Sequence, residues 1–151
     1  MNNYNIEQVV PHSAPMILLN KLIAYEQNSA TCEVTISPSS AFYSDDLQGV
    51  PSYIGTEYMA QAIAAYAGAL AKDQGEAVKI GFLIGTRKYQ TQTPVFKLGS
   101  VLQVTVAKLY QEDSGLSVFE CCIKNNNTAL CDAKINVFQP HDPLQFIREQ
   151  Q

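Results

Sequence analysis

Glu57 is the residue of this 151-residue sequence with the clearest capacity for chemistry. It is the only charged side chain between Ser52 and Ala71, in a stretch otherwise dominated by Ala with Met, Leu, Ile and Tyr. A carboxylate buried in such surroundings costs several kcal/mol unless it is paired, hydrogen-bonded or protonated. Burial favours the protonated form, which suits a group that must donate a proton near neutral pH. A second reading stays open: Glu57 sits early in a helix, faces water and complements the positive end of the helix dipole. The other candidate is His12, in PHSAPM, because histidine exchanges protons near neutral pH more readily than other side chains. A lone His after a proline is more often structural than catalytic. His141, in FQPHDP, reads as an exposed residue near the C-terminus.

Other chemistries find little material. The cysteines Cys32, Cys121, Cys122 and Cys131 form no Cys-x-x-Cys pair, and the two histidines stand far apart, so no metal site is expected. All four cysteines fall in expected strands and read as reduced core residues of a cytoplasmic protein. Cys121 and Cys122 should point to opposite faces of one strand. GTRKY is not a phosphate-binding loop, and no nucleophile elbow is present. A formal charge of −4, a pI near 5.0 and thinly spread basic residues argue against nucleic-acid binding. The N-terminus lacks the basic start and apolar run of a secretory signal.

The elements that must position Glu57 and His12 follow from periodicity. A short helix or turn is expected over 6–10, ending at Pro11, and a strand over 17–26. In 31–36, Cys32, Val34 and Ile36 alternate with Thr31, Glu33 and Thr35, the period of a half-buried strand. Residues 52–71 are long enough to cross a bilayer, but Glu57, Gln61, Thr56 and three Tyr favour a helix buried on nearly all sides, so no membrane span is expected. Ser52 is its expected N-cap, Lys72 suits the last turn, and Gly75 closes it. Four more strands are expected over 78–89, 101–110, 116–123 and 129–138, joined by Gly, Asn and Asp turns that favour hairpins. At 46% hydrophobic and 16% charged residues the chain can bury one core, so residues 1–151 form a single domain of the α+β class.

Taken together, these segments resemble the hotdog superfamily, specifically the 3-hydroxyacyl-[acyl-carrier-protein] dehydratases. PHSAPMILLNKL is similar to their N-terminal Pro-His…Pro-hydrophobic-Leu-Leu-Asp segment, with Asn20 where Asp is usual. GVPSYIGTEYMAQ is similar to the helix start in which Pro-Gly-Val precedes Glu-Ala-Met-Ala-Gln, and GFLIGTRKYQTQTPVFKLGSVL resembles the strand after the helix. EYMAQAIAAYAG with GFLIGTRKY resembles, more narrowly, the small bacterial dehydratases of aryl-polyene biosynthesis. The resemblance implies a six-stranded antiparallel sheet wrapped around one long helix, in a homodimer or a heterodimer with another hotdog subunit whose sites lie at the interface. It implies loss of water from a 3-hydroxyacyl thioester on an acyl carrier protein, giving a trans-2-enoyl thioester without a cofactor.

Two departures shape the expected site. The family's His-Phe-Pro-Gly loop corresponds here to AFYSDDLQGVPSYIG, which has no histidine, and Ser52 replaces the Pro-Gly glycine. Glu57 matches the family's catalytic carboxylate, so the expected pair is Glu57 as acid and His12 as base. Backbone N–H groups near Ser52 and Tyr53 are expected to polarise the thioester carbonyl. An apolar tunnel along the helix is expected to be lined by Ile54, Tyr58, Met59 and Ile63. Arg87 and Lys88 are the candidates for docking the acidic carrier protein, while Lys97 reads as an ordinary solvated charge. Three alternatives share these features: a hotdog acyl thioesterase, a non-catalytic partner subunit of a heteromeric dehydratase, and a plain acyl-thioester binding module.

Overall fold

The structure, a computed structural model, describes residues 2, 4–11, 16–77 and 83–138. The first elements are α1 (Ile6–Val9), β1 (Lys21–Tyr25) and β2 (Ser29–Thr35). A short strand β3 (Gly49–Pro51) runs into a single 3₁₀ turn (Ser52–Ile54) and then the long helix α2 (Gly55–Asp73). The remaining strands are β4 (Leu83–Thr91), β5 (Val95–Lys97), β6 (Val101–Gln111), β7 (Leu116–Asn125) and β8 (Thr128–Phe138). The principal sheet has six antiparallel strands in the order β1-β2-β6-β7-β8-β4, and β3 pairs with β5 in a separate two-stranded ribbon. This is the expected α+β hotdog architecture. The expected strand over 17–26 begins only at Lys21, because the backbone of 16–18 is held by a side chain instead of a neighbouring strand.

Alternation sets which face each strand buries. Cys32 and Val34 of β2 line up with Leu102, Val104 and Val106 of β6, with Phe119, Cys121 and Ile123 of β7, and with Cys131, Ala133 and Ile135 of β8. Burying these faces against Tyr58, Met59, Ala62, Ile63, Tyr66 and Ala69 of α2 makes the core. Cys121 is buried while Cys122 lies half-buried on the opposite face, and all four cysteines are free thiols. The β7–β8 hairpin turns through Asn126 (φ 51°) and Asn127 (φ 70°), the left-handed pair that a two-residue turn needs.

The helix differs from expectation at its start. Ser52 does not cap α2: it lies inside the 3₁₀ turn, is buried, and no side-chain cap bond is made at either helix start. The C-terminal end is as expected, with Lys72 in the last turn and Gly75 left-handed (φ 72°), so that the Gly75 N–H reaches the Lys72 carbonyl and the Glu76 N–H that of Ala71. Among the described residues, no helix is long and apolar enough to cross a membrane.

Candidate active site at the start of the long helix

The N-terminal end of α2 is fixed by its backbone. The Ser52 N–H donates to the Pro94 carbonyl at 3.0 Å, which ties the 3₁₀ turn to the segment entering β5. The Ser52 carbonyl accepts the Tyr89 hydroxyl from β4. That hydroxyl also lies 3.2 Å from Cys131 Sγ on β8, so one tyrosine joins the helix start to two strands. Burial first, and then the bond to Cys131, raises the Tyr89 hydroxyl above the ordinary tyrosine range, which keeps it a donor. Tyr89 can turn under the helix because β4 is bulged between Arg87 and Gln90, with Lys88 left-handed at φ 52° and exposed. Gly55 leaves room for the phenol: a Cβ there would stand 2.3 Å from the Tyr89 oxygen and 3.2 Å from Ile123 Cδ1.

On this end the expected residues separate into two groups. Ile54, Tyr58, Met59 and Ile63 are all buried in the core. These side chains belong to the close-packed core between α2 and the sheet. Tyr58 borders a cavity of about 390 Å³, with Ile17, Leu18, Asn20, Val34 and Ser37 among its other walls. Burial pushes the Tyr58 hydroxyl up to about 12.

Glu57 and Tyr53 face outward. Tyr53 is 68% exposed, and Glu57, in the first turn of α2, is exposed as well. The expectation of a carboxylate desolvated within its own chain is thus corrected. The reason is the stripe Glu57, Ala60, Ala64, Ala67, Ala71, spaced by three and four residues along the outward side of the helix. Alanine reads as apolar in sequence, yet it is small enough to sit at a surface. Ser52 is buried and its N–H is already engaged by Pro94, so the expected use of that amide is corrected too. The first N–H groups of a helix lack partners within it, which leaves Tyr53 as the amide of the expected pair.

His12 lies outside the described residues, as does His141. Arg87 belongs to β4, Lys88 is exposed in its bulge, and Lys97 is exposed at the end of β5. Gln61 was passed over as a functional residue in the sequence. It is 6% exposed, and both ends of its amide bind backbone: Oε1 accepts the Leu18 N–H at 2.8 Å and Nε2 donates to the Met16 carbonyl at 2.7 Å. A lone amide on the buried side of an Ala-rich helix is the signal that could have found it.

A family model of ApeP-like proteins, described as ApeP dehydratase, matches residues 4–148. The structure is similar to the dehydratase heterocomplex ApeI:P from Xenorhabdus doucetiae, with 32% identity, 99% of each chain covered and a TM-score of 0.90. It also resembles a sigma28-regulated virulence protein from Campylobacter jejuni, at 19% identity, 91% and 88% coverage and a TM-score of 0.62. A hypothetical thioesterase with coenzyme A from Streptococcus pneumoniae TIGR4 matches at 12% identity, 79% and 84% coverage and a TM-score of 0.62. These last two likenesses carry the fold alone. No curated protein matches the chain. With nearly its whole length matched by one family model, and a hotdog sheet wrapped around the helix that bears Glu57, the chain belongs to the ApeP-like dehydratase family.

Proposed function

We propose that this chain removes water from 3-hydroxyacyl thioesters carried on an acyl carrier protein, in aryl-polyene or related lipid biosynthesis, together with a second hotdog subunit. The observation that carries this reading is the match along 99% of the chain, at 32% identity, to a dehydratase heterocomplex. The outward position of Glu57 supports the need for a second subunit, because a proton-transfer site left open to water is completed only when another surface covers it.

In the proposed reaction His12 takes the proton α to the thioester carbonyl, and the electron pair forms the new C=C bond as the C3–O bond breaks. The Glu57 carboxylic acid gives its proton to the departing hydroxyl, which leaves as water. The Tyr53 N–H stabilises the charge that develops on the thioester oxygen. The acyl chain follows α2, with Ile54, Tyr58, Met59 and Ile63 forming the packed floor beneath Ser52 and Tyr53. Arg87 and Lys88 attract the acidic carrier protein, an attraction that salt must weaken. The protein works in the cytoplasm, where carrier-bound intermediates are made.

The experiment is an assay with a 3-hydroxyacyl carrier-protein substrate, followed by mass spectrometry of the carrier-bound product. An enoyl thioester supports the proposal, and a free acid would assign a thioesterase instead. A second reading is favoured by the loop 41–55, which has no histidine: this chain then stabilises an active partner without transferring protons. Full activity of a complex carrying His12→Ala and Glu57→Gln in this chain alone would establish that reading.

A further inference from the structure

Residues 17–20, the end of β2 and the loop after it enclose, with Tyr58 of α2, a cavity of about 390 Å³. An engineered apolar cavity of roughly 150 Å³ already holds benzene, so this one has room for a ring or a short chain. Leu18, Leu19 and Val34 supply apolar wall, and Asn20, Ser37 and Ser40 supply polar wall. Among the described residues, no charged side chain lines it. A charged ligand would lose its water there without gaining a counter-ion, so the cavity suits a neutral one.

The polar walls are engaged with one another. Asn20 Oδ1 accepts the Thr35 N–H at 2.8 Å, and the Ser37 and Ser39 hydroxyls lie 2.8 Å apart. Ser40 Oγ accepts the Ser37 N–H at 2.9 Å and donates to the Thr35 carbonyl at 3.2 Å. Tyr58 is different. It is 1% exposed, its ring packs 5.8 Å from that of Phe96, and its hydroxyl has no hydrogen-bond partner among the described residues. Among those residues Asn136 Oδ1 is the side-chain polar atom sealed in protein without a partner. The Tyr58 oxygen is therefore not sealed, and the space it opens on is the cavity that its residue borders. A buried hydroxyl left unbonded is costly, so it calls for an acceptor. Burial alone holds this hydroxyl up to about 12, which keeps its proton available.

We infer that the cavity is a binding site for a neutral apolar body bearing a ketone or hydroxyl oxygen, which accepts a hydrogen bond from Tyr58. Two sources share that chemistry: a free small molecule, and the far end of an acyl chain whose thioester is processed beside Glu57. The second source rests on the proposed dehydration.

The test titrates the isotope-labelled chain, in its complex with the hotdog partner, with cyclohexanone and with methylenecyclohexane, which has the same shape and no oxygen. Cyclohexanone should shift the amide signals of Leu18, Val34 and Ser40 with one common Kd, and leave those of Lys108 and Gln111 unmoved. Tyr58→Phe should weaken the ketone about 10-fold and tighten the hydrocarbon, since the hydroxyl that the hydrocarbon strands is gone. Unmoved Leu18, Val34 and Ser40 signals up to the solubility limit of the ketone would overturn the site, a result that needs no variant to fold. Equal changes in the two Kd values on Tyr58→Phe would overturn the role of the hydroxyl. Turnover then names the source, with 3-hydroxyoctanoyl and 3-hydroxy-7-oxooctanoyl carrier substrates. If the acyl chain is the source, Tyr58→Phe should lower the ratio of kcat/KM, oxo over plain, about 10-fold. A ratio that the substitution leaves alone assigns a free molecule. A complex without dehydratase activity would remove the proposed function and the acyl-chain source together, while the ketone titration would still decide the site.

Discussion

At its C-terminal end α2 is knotted into the rest of the chain, whereas at its N-terminal end it is anchored from beneath and open above. Asp73 accepts the hydroxyls of Tyr4 and Tyr25, Tyr66 donates to the Gln27 carbonyl, and Gly68 packs directly on the backbone of Val9. The N-terminal end is held by Tyr89 and Pro94 from the strand side, while the side chains of Tyr53 and Glu57 are exposed. Phe42, Leu47 and Leu98 are exposed as well, and β4 forms an edge of the sheet. The difference separates two tasks. One end of the helix secures the fold, and the other offers groups that a shared active site requires.

Breaking the open end should affect turnover and spare the fold. Glu57→Gln in the assembled protein should lower the dehydration rate by roughly 10²–10⁴-fold, the usual worth of a proton-transfer group. Its melting temperature should stay within a degree or two of the parent, since an exposed side chain is being changed for an isostere. A large loss of stability in Glu57→Gln, measured by thermal unfolding, would show that the carboxylate supports the fold and would undo the division between the two ends.

Breaking the secured end should do the reverse. A Cβ on Gly68 would stand 1.8 Å from the Val9 carbonyl oxygen, and a backbone atom cannot rotate away. Gly68→Ala should therefore push α1 off the helix and cost about 1–3 kcal/mol, exceeding the roughly 1 kcal/mol that alanine gains over glycine within a helix. Urea unfolding would report the loss, with the rate per folded molecule unchanged. Gly55→Ala offers the matching perturbation at the open end, where the clash is with the Tyr89 hydroxyl. It should cost about 1–2 kcal/mol and should also slow turnover, because the displaced phenol holds the Ser52 carbonyl and so the turn that precedes Glu57. Tyr89→Phe should recover part of the stability lost in Gly55→Ala, since the smaller ring edge removes the clashing atom.

The two ends were not equally legible in the sequence. The hairpins followed from alternation in 31–36 and from Asn and Gly turns, and the closing of α2 followed from Lys72 and Gly75. β3 and β5 were missed because three residues carry no periodicity. Their need is written only in Gly49, where a Cβ would meet the Phe96 carbonyl oxygen at 2.2 Å. The exposure of Glu57 was hidden by the outward alanines, which count as apolar in composition while covering little surface. Ser52 looked like a cap, yet the helix starts through a 3₁₀ turn whose backbone is satisfied from distant strands, a tertiary solution that no local pattern announces. The Gln61 clamp joins positions more than forty residues apart and left only the trace of an amide among alanines.

The smallest effect sharpens the comparison at the secured end through pH. Burial, and then the bond to the Asp73 carboxylate, pushes the Tyr25 hydroxyl up to about 12 from its ordinary value of 10.0. Between those two values the native chain keeps a proton that the unfolded chain has released, so the unfolded state binds fewer protons and stability falls as pH rises. The contribution is fully present below about pH 10 and is lost on passing through 12. Urea midpoints measured from pH 9 upward should decline across this window, and the tyrosine absorbance near 295 nm should show Tyr25 titrating late. Asp73→Asn removes the carboxylate and leaves the burial, so Tyr25 should titrate earlier, the decline should begin at lower pH, and the melting temperature at neutral pH should fall by roughly 2–4 °C. Turnover at neutral pH should be unchanged, because Asp73 lies at the end of α2 away from Glu57. A loss of dehydration in Asp73→Asn matching that of Glu57→Gln would mean that the two ends of the helix are mechanically coupled.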